Sequence, residues 1–137
     1  MIQRLWIVLS LLLLIVLFSN LSAQMDAVIE VPEMVFCTGV DDRVPVGADT
    51  MFLNTVEQVY CFTKITGVSE TTTISHVWYY NDNEMARVGL TVSGDPWRTW
   101  SSKRITEEWG GAWRVDVVLE TGEILKSMEF TIQSTSE

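Results

Sequence analysis

The stretch Thr72–Val92, TTISHVWYYNDNEMARVGLTV, decides the fold. Ile74, Trp78 and Tyr80 stand at alternate positions with His76 between them. After a polar knot, Ala86, Val88, Leu90 and Val92 alternate again. A period of two belongs to a strand, because successive strand side chains point to opposite faces. Asn81-Asp82-Asn83 is turn chemistry, so Thr72–Tyr80 and Glu84–Val92 read as a hairpin.

The same period extends in both directions. Upstream, Met34–Val40 reads as a strand with Val35 and Cys37 on one face. Val56–Thr66 reads as another, placing Val59, Cys61 and Ile65 together. Between them, Asp41–Thr55 (DDRVPVGADTMFLNT) is rich in Asp and Gly with one Pro, and reads as loop. Downstream, Gly94-Asp95-Pro96 turns the chain into Trp97–Ile105, and Gly110-Gly111 breaks it. Trp113, Val115, Val117 and Leu119 then alternate. Glu120–Glu123 turns into Ile124–Ile132, with Met128, Phe130 and Ile132 inward. Seven short strands with turns between them predict an all-β fold, an antiparallel immunoglobulin-like β-sandwich over 34–133. A small barrel is the alternative closure. Residues 24–33 form an N-terminal extension, and 134–137 a polar tail.

The first 23 residues read differently. Arg4 precedes an apolar run, Leu5–Phe18, shorter than the ~20 residues that span a bilayer. Ser19–Ala23 supplies a small, polar cleavage region, so 1–23 reads as a signal peptide cut after Ala23. An uncleaved anchor through 5–18 is the alternative, and only that would tie the chain to a membrane. The expected location is the periplasm or the exterior.

Without Arg4, eight basic residues face eighteen acidic ones, so the net charge of −9 becomes −10. That balance argues against nucleic acid, whose affinity rests on Lys and Arg neutralising phosphates. The chain has two cysteines, Cys37 and Cys61, both in strand-like runs. In an oxidising compartment they are candidates for a disulfide, with two buried thiols as the other reading.

The chain holds six tryptophans. Trp78 and Trp113 fall on inward positions. Trp97 and Trp100 are three apart, so a regular strand sends them to opposite faces, one to the core and one to a rim. Trp109 precedes the double glycine and either plugs one end of the sandwich or reads a ligand.

The chemistry-bearing residues do not form an obvious site. His76 is the only histidine, flanked on its face by Ile74 and Trp78, and reads as a satisfied interior group. Asp41-Asp42 and Glu107-Glu108 are adjacent pairs, unlike the separated carboxylates of glycosidases. No nucleophile elbow, zinc helix motif, phosphate loop or dinucleotide fingerprint is present. No enzyme activity and no cofactor or metal is expected. Arg98 with Trp97 and Trp100, and Arg114, pair the residue types that dominate binding hot spots. Val77, Tyr79, Val118 and Leu125 point away from the expected core and predict an outward apolar patch.

Several of these stretches together carry a family likeness: Cys37–Gly47 (CTGVDDRVPVG), Val59–Gly67 (VYCFTKITG), Ile74–Val92, Trp97–Ile105 (WRTWSSKRI), and the hairpin Gly110–Val118 to Thr121–Ile132. From about Phe36 to Ile132 the chain resembles a bacterial family known as domain of unknown function 2914. The resemblance implies a secreted or membrane-tethered module and carries no assigned activity, so it brings no catalytic residue. The expected function is a non-catalytic binding or scaffold module of the bacterial envelope that contacts another protein. Tyr79, Val77, Trp97, Arg98, Trp100, Trp109 and Arg114 are the candidate contacts. The alternative is a carbohydrate-binding module using Trp97 or Trp100, Trp109 and Arg98.

Overall fold

The computed structural model describes residues 28–135, so the expected signal peptide or anchor, its cleavage after Ala23 and the end of the polar tail lie outside the described residues. Within them the chain is all-β and mostly antiparallel, with strands at Glu30–Cys37 (β1), Gly39–Asp41 (β2), Val44–Val46 (β3), Met51–Leu53 (β4), Gln58–Thr66 (β5), Thr72–Tyr80 (β6), Asn83–Val92 (β7), Trp97–Arg104 (β8), Gly111–Leu119 (β9) and Ile124–Gln133 (β10). A three-stranded sheet runs β1-β5-β8 and a five-stranded sheet runs β4-β10-β9-β6-β7, while β2 and β3 form a small ribbon. Among the described residues no helix is long and apolar enough to cross a membrane.

The two larger sheets share one core. Met34, Phe36, Cys61 and Ile65 from the first meet Trp78, Trp113, Val115, Phe130 and Ile132 from the second in a single buried cluster. Phe130 is its hub: Phe36 lies 4.5 Å from it and Trp113 stacks on it at 5.9 Å and 15°. Aromatic rings bury more area per residue than any other side chain, and those at the centre dominate the core. The alternation read in β5, β6, β7, β9 and β10 matches the residues found inside.

Three expectations are corrected. The Asp41–Thr55 stretch contains the end of β2 and all of β3 and β4 rather than loop alone. Asp42 and Arg43 both take positive φ, 46° and 60°, the conformation of a tight two-residue hairpin that joins β2 to β3. Asn81 and Asp82 do the same, at 48° and 64°, between β6 and β7. β4 then pairs in parallel with β10, Phe52 opposite Ile132.

β1 begins at Glu30 and faces the other way from the reading above. Met34 and Phe36 join the core, and a bulge between Glu30 and Glu33 interrupts the pairing. Cys37 therefore points to the outer side, opposite Tyr60, while Phe36 is opposite Cys61. The two cysteines are offset by one position across the strand pair. Side chains so offset leave the sheet on opposite faces, so they do not share the core as expected. Both are free, buried thiols. Cys61 sits in the core and burial raises its pKa strongly. Burial also raises that of Cys37, which receives backbone hydrogen bonds from Gly39 and Val46 of the ribbon.

The expected apolar patch is absent as such. Val77 and Val118 are buried, and Leu125 packs against the core. Tyr79 lies under the Arg114 guanidinium, 4.3 Å from its ring centre.

Candidate binding face

His76 is fully buried between the sheets, and the register supplies partners that its sequence neighbours do not. Thr63 of β5 and Ser101 of β8 lie on the opposing sheet, with oxygens 3.1 Å from Nε2 and 2.7 Å from Nδ1. The Thr63 hydroxyl donates to the Thr99 carbonyl, so it accepts from Nε2–H. Nδ1 must then accept from the Ser101 hydroxyl, whose oxygen accepts in turn from Trp78 Nε1–H. Donors and acceptors match one for one along Trp78, Ser101, His76, Thr63 and Thr99. A proton added to Nδ1 would meet the Ser101 hydrogen head on. Burial lowers the histidine pKa to about 4. This chain joins the two sheets by hydrogen bonds inside an otherwise apolar core, where an unpaired polar group is costly. The histidine is fully buried and the serine nearly so.

A second polar cluster lies on the outer face of the five-stranded sheet. Arg114 reaches Asp82 at 2.6 Å and Asp116 at 3.2 Å, and Ser127 donates to Asp116 at 2.5 Å. The hydrogen bond to Asp82 is the main reason the Arg114 pKa is raised. A shallow cavity of about 260 Å³ opens between Asn81, Asp82 and Glu129. Arg114 and Tyr79 are brought together, but the guanidinium is already neutralised by two carboxylates.

The remaining candidates separate. Trp97 is opposite Ile65 and packs against the core. Trp109 packs there too, 6.0 Å from Trp113 and edge-on, and its carbonyl accepts from Trp113 Nε1. Lys103 sits 4.6 Å above the Trp109 ring, so this tryptophan closes one end of the core. Trp100 points outward. It is 37 % exposed and stacks on Phe62 of β5, centroids 6.2 Å apart and 15° from parallel. Because residues in register share a face, the same outer face carries Arg98, Ser102 and Arg104 from β8, and Tyr60 and Lys64 from β5. Lys64 and Phe62 were not singled out from the sequence. Only the strand pairing brings them beside Arg98 and Trp100.

Among the described residues no three of His, Cys, Asp and Glu gather as a metal site would require. Fold and side chains together define an all-β domain whose one histidine is spent on neighbouring side chains and whose three-stranded sheet is covered by the ribbon at Cys37 and open at Trp100. Residues 71–132, from the edge of β6 almost to the end of β10, match the family described as Protein of unknown function (DUF2914). The match covers Ile74–Val92, Trp97–Ile105 and the last hairpin; Cys37–Gly47 and Val59–Gly67 precede it. No curated protein matches the chain.

Proposed function

We propose that the protein is an exported, non-catalytic binding module of the bacterial envelope, built as an immunoglobulin-like β-sandwich, that contacts another protein through the outer face of β5 and β8. The observation that carries this reading is Trp100, held flat on a buried Phe62 and left open on its other side. A rigid, half-exposed tryptophan flanked by arginines is the composition of an interface anchor. The Leu5–Phe18 segment serves export, whether or not it is later removed.

Carbohydrate binding is the second reading, and Trp100 alone supports it, since Trp97 and Trp109 pack against the core. A sugar-binding platform of two coplanar rings is missing two of its candidates.

Affinity capture from a bacterial envelope extract, run with the wild-type chain and with Trp100→Ala, tests the proposal. A protein retained by the first and lost from the second supports it. Equal retention overturns it. Trp100-dependent retention of a glycan instead would favour the second reading.

A further inference from the structure

Resting on that binding reading, we propose that β8 is a docking edge for an extended acidic segment of the partner, which adds a strand beside it. Three observations converge on this edge.

The first is topological. β8 ends the three-stranded sheet and pairs only with β5 among the described residues. One side of its backbone therefore has no strand to bond with, and such an edge is a template for strand addition.

The second is charge. Lys64 and Arg98 stand directly opposite each other, and like charges so placed repel. Among the described residues neither they nor Arg104 has a carboxylate within 4.0 Å. Arg87 and Arg114, by contrast, are both paired. Glu33 of β1 stands across from Lys64 on its other side, so Arg98 and Arg104 are the two cations of this face with no carboxylate opposite them among the described residues. On a chain with net charge −9 they select an anionic partner.

The third is spacing. Arg98, Trp100, Ser102 and Arg104 alternate on one strand, so they stand about 6.6 Å apart in sequence order. An added strand has the same repeat. It would place a carboxylate opposite Arg98, an apolar side chain opposite Trp100 and a second carboxylate opposite Arg104. Arg–carboxylate pairs of this kind are charge-assisted and often bidentate. A second copy of the chain paired antiparallel about Ser101 would set Arg98 against Arg104, whereas an acidic strand meets both arginines with opposite charge.

The test uses the full chain in an uncharged detergent and fluorescein-labelled peptides. One probe carries Glu-Thr-Val-Thr-Thr-Thr-Glu, a second the reverse order, and a control has Lys for Glu. Two further probes are N-methylated on alternate residues, one set or the other. At least one acidic probe should bind. Its affinity should fall at least about tenfold with Arg98→Glu/Arg104→Glu, which should bind the Lys control instead. One N-methyl set should weaken binding as much while the other does not, because only one set faces β8. An unchanged melting temperature shows that the double variant is folded.

Equal binding of the Lys and Glu probes by the wild type overturns the proposal, as does indifference to both N-methyl sets or no binding at millimolar peptide. If capture still depends on Trp100 in those cases, this inference alone fails. If that dependence is also absent, the binding reading falls with it.

Discussion

Strand β8 puts two kinds of surface on alternate residues. Its inner side, Trp97, Thr99 and Ser101, meets the five-stranded sheet: Ser101 bonds across the gap to His76 and Trp78, and the Thr99 carbonyl accepts from Thr63 beside it. Its outer side, Arg98, Trp100, Ser102 and Arg104, carries two arginines with no carboxylate within 4.0 Å among the described residues. One backbone thus holds a closed network and an open one a residue apart. The lesson is that burial alone does not separate structural from functional groups; satisfaction does. His76 is buried and complete, whereas Trp100 is half covered and unfinished.

The comparison breaks first at the tryptophans. Trp113 stacks on Phe130 and lies against Tyr80 at 5.0 Å, so Trp113→Ala should cost about 3–5 kcal/mol. Trp100→Ala should cost about 1 kcal/mol, the loss of one stacked pair at the surface. Urea denaturation of both variants measures the difference. Equal losses would mean that the outer face is as structural as the inner one.

Acid sharpens the comparison next. His76 has its folded pKa lowered from 6.5 to about 4, so the folded state binds fewer protons than the unfolded chain between those values. Its contribution is complete above pH 6.5 and is lost as pH falls toward 4, amounting to about 3 kcal/mol. Denaturation midpoints across that window should fall steeply in the wild type and less so in His76→Gln. The outer pair of Arg114 and Asp82 is common to both proteins and drops out of the difference. Parallel profiles would show that the inner network does not couple to protonation.

The smallest effect concerns the thiols. Cys37 and Cys61 are free on opposite sides of the sheet, so a reducing agent should leave the melting temperature unchanged. Titration of the unfolded, unreduced chain should find both thiols. A melting point lowered by reductant, with no titratable thiol, would show that the strand register at Cys37 is different.

How far the fold was legible depended on whether one face of a strand is polar. β6, β7, β9 and β10 alternate cleanly, and their inward residues could be read directly. In β1 the run Met34–Cys37 is apolar on both sides, because Phe36 meets the core while Cys37 lies under the ribbon, so period two could not choose a face. β2, β3 and β4 have three residues each, too few to show a period, and the Asp42–Arg43 turn lacks the usual Asn-Gly. The site was less legible still. Ser75 adjoins His76 in sequence but leaves by the other face, whereas Ser101, far along the chain, touches it. Lys64 likewise meets Arg98 only through the register of β5 with β8.

The parallel pairing of β4 with β10 has a consequence for how the chain is made. β4 pairs with no other strand among the described residues, and β10 closes against β9 on its other side. A nascent chain that has not yet supplied Ile124–Gln133 leaves β4 without its ladder, β9 with a bare edge, and Phe130 missing from the centre of the aromatic cluster. Ile124–Gln133 follows every other described strand in the chain and seals the five-stranded sheet, so this sheet cannot close before that strand is made. Such long-range closure is slow, in the millisecond-to-second class of all-β domains. Until Ile124–Gln133 is made, β4 and β9 both wait for the strand that lies between them.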